Sequence, residues 1–183
     1  MAKGVFALVV FLLGALVNPA WALSSGWQNA SHLRAELVSE YQQVSPGHKL
    51  LLALHFVPDE RWHTYWQNPG DSGLATSLSW QLPEGVTAGD IAWPTPSSIA
   101  LPPLMNYGYE GQTLLLTELS LPADYPADSL DIAMTADWLV CEEVCIPASA
   151  SFRIRLPVGA TAVLAEQYQP LFAEAKTRLP VPL

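Results

Sequence analysis

Cys141 and Cys145 are the only cysteines among the 183 residues, and they stand three residues apart in the stretch Ala136-Asp137-Trp138-Leu139-Val140-Cys141-Glu142-Glu143-Val144-Cys145-Ile146-Pro147. Along a straight strand, four steps of about 3.3 Å would hold their Cα atoms roughly 13 Å apart, too far for a disulfide. Pairing therefore needs a turn. A three-residue hairpin loop of Glu142, Glu143 and Val144 would set the two cysteines opposite each other on adjacent strands. One helical turn would also bring them near, although Ile146-Pro147 argues against a continuing helix. Three chemistries fit such a pair. As a structural staple it would contribute only about 2 kcal/mol, because the loop it closes is so short. Reversible dithiol exchange fits the close spacing better. Two thiolates can also hold Cu(I), with Met105 or a histidine as a third ligand.

Other reactive constellations are missing from the sequence. His32, His48, His55 and His63 show no i, i+4 pairing and no compact ligand spacing, so no zinc or other metal site is expected from them. His63 reads as a structural histidine, with a place beside the cysteines as the other reading. There is no Gly-x-Ser-x-Gly, phosphate-cradling loop or nucleotide fingerprint, so no cofactor is expected. Trp62, Thr64 and Trp66 share a face if they lie on a strand; core burial explains them better than a sugar-binding platform.

The elements that position the cysteines follow from compartment and patterning. Met1-Ala2-Lys3-Gly4, the apolar run Val5 to Val17 and the small-x-small site Ala20-Trp21-Ala22 read as a secretory signal peptide over residues 1–22. The run is too short and too closely followed by Asn18-Pro19 for a membrane span, and no second run like it follows, so no direct membrane insertion of the mature chain is expected. Export would place the cysteines in an oxidising compartment, where a dithiol stays reduced only if electrons keep arriving. Without Lys3, seven basic residues face seventeen acidic ones, which speaks against nucleic acid or anionic lipid as partner.

Sixteen prolines and eleven glycines divide the mature chain into short elements. Half-buried alternation predicts strands at His32 to Glu40 (Leu33, Ala35 and Leu37 inward) and at Trp62 to Trp66. Lys49 to Val57 is expected as a central strand, and further strands at Ser77 to Leu82, Asp90 to Trp93, Thr113 to Leu121, Leu130 to Val140 and Ser149 to Leu156. Thr95 to Asn106, with Pro102 and Pro103, is expected as a surface loop. From Ala162 to Leu179 the period becomes helical, with Val163, Leu164, Tyr168, Leu171, Phe172 and Ala175 near one stripe and Pro170 able to split it. The expected fold is all-β: an immunoglobulin-like antiparallel β-sandwich over 23–160, then a short C-terminal helix and tail over 161–183.

With the cysteines placed on strands near the end of an exported sandwich, the chain resembles the amino-terminal periplasmic domain of the DsbD and ScsB membrane reductases, the ScsB-like branch above all. Four blocks in order carry the resemblance: Trp62 to Gly73 (WHTYWQNPGDSG), Trp93-Pro94-Thr95-Pro96, Asn106-Tyr107-Gly108-Tyr109-Glu110-Gly111, and Asp137 through Pro147. The resemblance implies a periplasmic component of a protein-disulfide reductase. It would take electrons from a membrane-embedded donor domain of DsbD/ScsB type and pass them to periplasmic thioredoxin-like acceptors. By position, Cys145 matches the cysteine that forms mixed disulfides and Cys141 its resolving partner. Asn106 to Glu110 matches a cap segment over the pair, with Tyr107 or Tyr109 supplying its aromatic ring. Family members usually continue into a multi-helix membrane segment and a thioredoxin-like domain, which these 183 residues do not include, so a stand-alone version or a truncated product is expected. Glu142 and Glu143 place negative charge beside the thiols, so a raised thiol pKa is expected. Two rivals stand beside this reading: a copper-binding or copper-tolerance protein, the ScsB branch being associated with copper stress, and a sandwich that only docks to a partner.

Overall fold

Runs in which apolar side chains alternate with polar ones, punctuated by Pro and Gly turns, become antiparallel strands that bury one face each. A computed structural model describes residues 21–181. The greater part of the expected leader, residues 1–20, lies outside the described residues. Of its last two positions, Ala22 donates its N–H to the Arg155 carbonyl at 3.1 Å, and Trp21 lies 5.6 Å from the Arg155 guanidinium.

In chain order the strands are β1 (Gln28–Ala30), β2 (Leu33–Ser39), β3 (Tyr41–Gln43), β4 (Lys49–Pro58), β5 (His63–Gly70), β6 (Ser77–Gln81) and β7 (Thr87–Ala92). They continue with β8 (Ser97–Leu101), β9 (Leu104–Glu110), β10 (Thr113–Ser120), β11 (Ser129–Cys141), β12 (Cys145–Pro157) and β13 (Val163–Leu164), followed by helix α1 (Gln169–Thr177). One sheet runs β1-β2-β4-β10-β7; the other runs β12-β11-β5-β9-β8, with β6 also along β11; β13 and β3 form a small ribbon. This is the expected immunoglobulin-like sandwich with a short C-terminal helix.

The inner faces meet in one core that includes Leu37, Leu54, Phe56, Leu115, Ile132, Met134, Trp138, Phe152 and Ile154. Trp62 lies in this core and Trp66 against it, as core burial requires. Lys49–Pro58 is central, between β2 and β10.

Three expectations change. The first strand is not merely half-buried: Val38, on its outer face, is covered because Phe172 and Ala175 of α1 close over Val38, Ala53, Leu114 and Leu116. The expected loop from Thr95 to Asn106 is the hairpin β8–β9. Pro102 and Pro103 fall in its turn, where neither has to donate to a ladder, so the flanks remain free to pair. The terminal helix is shorter than its periodicity, because Val163 and Leu164 pair with β3 and Pro170 sits in the first turn, where a missing N–H costs nothing, and so starts the helix instead of splitting it.

Candidate functional site

The site is the far end of the longest hairpin. β11 and β12 pair without interruption from Ser129 opposite Pro157 to Cys141 opposite Cys145. Inward side chains of β11, ending in Ala136, Trp138 and Val140, anchor it in the core, and alternation then turns Cys141 to the outer face. The loop of Glu142, Glu143 and Val144 is closed by the Glu142 N–H donating to the Val144 carbonyl at 3.2 Å. The cysteines form a disulfide with an S–S distance of 2.10 Å and Cα atoms 4.2 Å apart. Of the two turn geometries open to the sequence, the hairpin is the one adopted. Cys141 is 1% exposed, whereas Cys145 is exposed. The exposed half of the disulfide is therefore the Cys145 residue.

β5 reaches the hairpin by a single register pair, His63 opposite Cys141. His63 and Tyr65, two residues apart, project to the same outer face as the disulfide. The Tyr65 hydroxyl is 3.5 Å from Cys145 Sγ, and His63 Nε2 is 3.4 Å from that hydroxyl, with the two rings edge-on at 5.2 Å. Both residues are buried, Tyr65 at 1% and His63 at 2% exposure. Burial raises the phenol pKa of Tyr65, with Ser72 acting against it, so the hydroxyl keeps its proton. Burial lowers the pKa of His63, against the pull of the Glu110 carboxylate.

The segment after β5 closes over the tyrosine. Gly73 has φ +94°, and a Cβ there would collide with the Tyr65 ring, so this position needs glycine for both backbone and space. Asn106 fastens the segment: its Oδ1 accepts from the Ser72 N–H at 3.0 Å and its Nδ2 donates to Ser72 Oγ at 2.9 Å. Asp71 adds a carboxylate oxygen that accepts from the Met105 N–H at 2.8 Å.

The residues of the expected cap divide between the two faces of β9. Asn106 is fully buried on the disulfide side of the sheet, and Glu110 is exposed opposite His63. Tyr109 belongs to the core, where its hydroxyl donates to the Pro94 carbonyl at 2.8 Å and burial raises its pKa. Tyr107 is 41% exposed and edge-on to Trp66, with ring centroids 6.5 Å apart. Thus the aromatic ring against the cystine is Tyr65, not Tyr107 or Tyr109. The parity of β9 explains this, because Tyr109 lies opposite Thr64 and shares its inward direction, whereas Gly108 lies opposite Tyr65. Tyr65 was missed as a site residue; the one sequence signal for it is that it shares a strand face with His63, for which a place beside the cysteines is one of the two readings.

Of the two loop carboxylates, Glu142 is engaged by the Arg61 guanidinium at 2.8 Å, and Glu143 is exposed. Among the described residues no three His, Cys, Asp or Glu side chains gather as a metal-binding group. The exposed Met105 stands on β9.

Fold and site together define an immunoglobulin-like sandwich presenting one cystine at the tip of a long hairpin, with one of its two residues exposed. The family model for the N-terminal part of the thiol:disulfide interchange protein DsbD matches residues 34–157. The chain belongs to this DsbD N-terminal domain family, and membership supports thiol-disulfide exchange as the chemistry of the pair. The crystal structure of the N-terminal periplasmic domain of ScsB from Proteus mirabilis matches with a TM-score of 0.67 at 19% identity, over 88% of this chain and 61% of that one. That likeness shows the fold, and the chain spans about three fifths of the length of that structure. The GAE domain of yeast GGA1 aligns over 70% of this chain and 96% of its own with a TM-score of 0.36 at 14% identity, too distant to bear on the reading. No curated protein sequence matches the chain. Among the described residues no helix is long and apolar enough to cross a membrane.

Proposed function

We propose that this chain is a periplasmic electron-relay domain in which Cys145 exchanges disulfides with partner proteins and Cys141 resolves them. The observation that carries the reading is the unequal exposure of the two cysteine residues in one hairpin disulfide. A donor thiolate attacks Cys145 Sγ, a mixed disulfide forms, and the S–S bond to Cys141 breaks with the electron pair leaving on Cys141. A second donor thiol then attacks the donor sulfur and releases Cys145, so two electrons have entered the pair. In the forward transfer the Cys145 thiolate attacks an acceptor disulfide, and Cys141, 4.2 Å away between Cα atoms, displaces the acceptor as a dithiol. The donor would be a membrane-embedded domain of DsbD/ScsB type and the acceptor a thioredoxin-like periplasmic protein. The Asn106 to Glu110 strand acts in this reading by fastening the Asp71–Gly73 segment over Tyr65.

The test is the redox equilibrium of the pair, set against glutathione and dithiothreitol buffers and read by alkylation and mass. A reversible midpoint between about −300 and −120 mV is expected for an exchange protein. A bond far more resistant to reduction would make the disulfide a staple. A pair that stays reduced in these buffers and titrates with Cu(I) would make it a copper site.

A further inference from the structure

The His63-Tyr65-Cys145 array goes beyond the pairing of two cysteines. Tyr65 has a single hydroxyl proton, and beside the Ser72 hydroxyl that hydrogen-bonds the same phenol it has Cys145 Sγ at 3.5 Å and His63 Nε2 at 3.4 Å as receivers. Which one receives it depends on the imidazole. If Nε2 carries a hydrogen, it donates to the phenol oxygen, and the phenol proton is then free to point at sulfur; if Nε2 is bare, it takes the phenol proton and the sulfur loses its donor. A disulfide sulfur is a weak acceptor, whereas a thiolate is charged and gains far more from an O–H donor, here one whose ring is buried while the contact itself is part-buried.

We propose that Tyr65 is a catalytic residue that donates a hydrogen bond to the Cys145 thiolate, and that His63 is a positioning residue that aims and polarises that donor. The inference rests on the exchange reading, and it names the groups that ready Cys145 for attack. In the forward step the thiol proton of Cys145 goes to solvent, the thiolate attacks the acceptor disulfide, and Tyr65 keeps its own proton throughout. Protonation of His63 fixes hydrogens on both ring nitrogens, so the imidazole no longer competes for the phenol proton, and the charged Cys145 thiolate outcompetes the neutral Ser72 hydroxyl for it. The imidazole has Glu110 opposite it on β9, Cys141 opposite it on β11, and Tyr65 on its own strand. The Arg61–Glu142 ion pair brackets it through its chain neighbours, Arg61 two residues before it and Glu142 beside Cys141. Only His63 in this set ordinarily titrates between pH 5 and 7.

The experiment measures iodoacetamide alkylation of Cys145 in the fully reduced domain from pH 5 to 10, with mass spectrometry to separate it from Cys141. Wild type, Tyr65→Phe and His63→Gln are compared. Tyr65→Phe keeps the ring under Gly73, and its thiolate fraction at neutral pH is expected to fall about ten-fold, the size of a hydrogen bond to a charged group. In wild type, a second, acid-side inflection from His63 is expected in the profile. It should vanish in both variants, whereas His63→Gln, still able to donate to the phenol, should keep the Cys145 pKa within about two-fold in thiolate fraction of wild type. Superimposable profiles for wild type and Tyr65→Phe would overturn the proposal, as would an acid-side inflection that survives His63→Gln. Alkylation needs no partner, so the array can be upheld even where a parallel assay with oxidised glutathione shows no exchange, a result that would overturn the function instead.

Discussion

The root and the tip of the β11–β12 hairpin are continuous in backbone and opposite in construction. At the root, Ile132, Met134, Phe152 and Ile154 are at most 3% exposed and fill the space between the sheets. At the tip, Glu143, Val144 and Cys145 are exposed, and the disulfide lies on the outer face with a tyrosine and a histidine beneath it. One ladder thus serves two ends: burial at the root fixes the register, and the register delivers Cys145 to the surface and Cys141 to a buried position beside His63. Stability and reactivity should therefore separate along the hairpin.

The sharpest way to break that separation is to cut each end in turn. Cys145→Ser is expected to abolish exchange with oxidised glutathione while the domain stays folded, its stability falling by only about 2 kcal/mol as the loop closure is lost. A thermal melt beside the exchange assay reads both; residual exchange would move the reactive sulfur to Cys141. Phe152→Ala at the root should do the reverse. It should cost about 3–5 kcal/mol by urea unfolding and leave the redox midpoint within error of wild type. A midpoint that moved with the core would mean the two ends are coupled.

Two buried histidines sharpen the comparison further. His55 on β4 lies 3.2 Å from the Glu36 carboxylate on β2, far from the cysteines in the other sheet, and His63 lies under the disulfide. Burial lowers the pKa of both, with Glu36 opposing it at His55 and Glu110 at His63. In each case the unfolded chain binds a proton that the folded one resists. Stability should thus be full above about pH 6.5, the unfolded value, and decline as the pH falls below it. Urea unfolding at pH 7.5 and 5.0 reads this, and a domain more stable at pH 5.0 would contradict it. Only His63→Gln, not His55→Gln, should also alter the acid limb of Cys145 reactivity.

The smallest effect is expected from Arg61→Ala. Its ion pair with Glu142 is exposed on the arginine side, so stability should change by less than about 1 kcal/mol. The freed carboxylate should nonetheless disfavour a thiolate next to it, and alkylation of Cys145 should slow at neutral pH. Faster alkylation would contradict the electrostatic role given to the loop.

Much of this was legible before the structure, for reasons particular residues make plain. Prolines and glycines bounded the strands, alternation gave β2 and β5 their inward faces, and a three-residue spacing admitted a hairpin with the cysteines opposed. What stayed hidden depended on which strand lies beside which. Nothing local to His63 or Tyr65 says that β5 meets β11 at a single pair, next to Cys141. Nothing local to Tyr109 says that its side of β9 faces the core, so the cap that the family resemblance implies for Asn106 to Glu110 carried its aromatic ring to Tyr107 or Tyr109. Val38 lies on the face opposite Leu33, Ala35 and Leu37, and the helix that covers it comes more than a hundred residues later in the chain. Pro102 and Pro103 read as a loop because two prolines in a strand are excluded, although two in the turn of a hairpin are not.

The most direct test of the central claim is a trapping experiment in which reduced Cys141→Ser and Cys145→Ser domains are each mixed with oxidised glutathione and resolved by intact mass and peptide mapping. The account predicts a stable glutathione mixed disulfide on Cys145 of the Cys141→Ser domain, and little or none on the buried Cys141 of the Cys145→Ser domain. Equal trapping on both, or trapping on Cys141 alone, would contradict it.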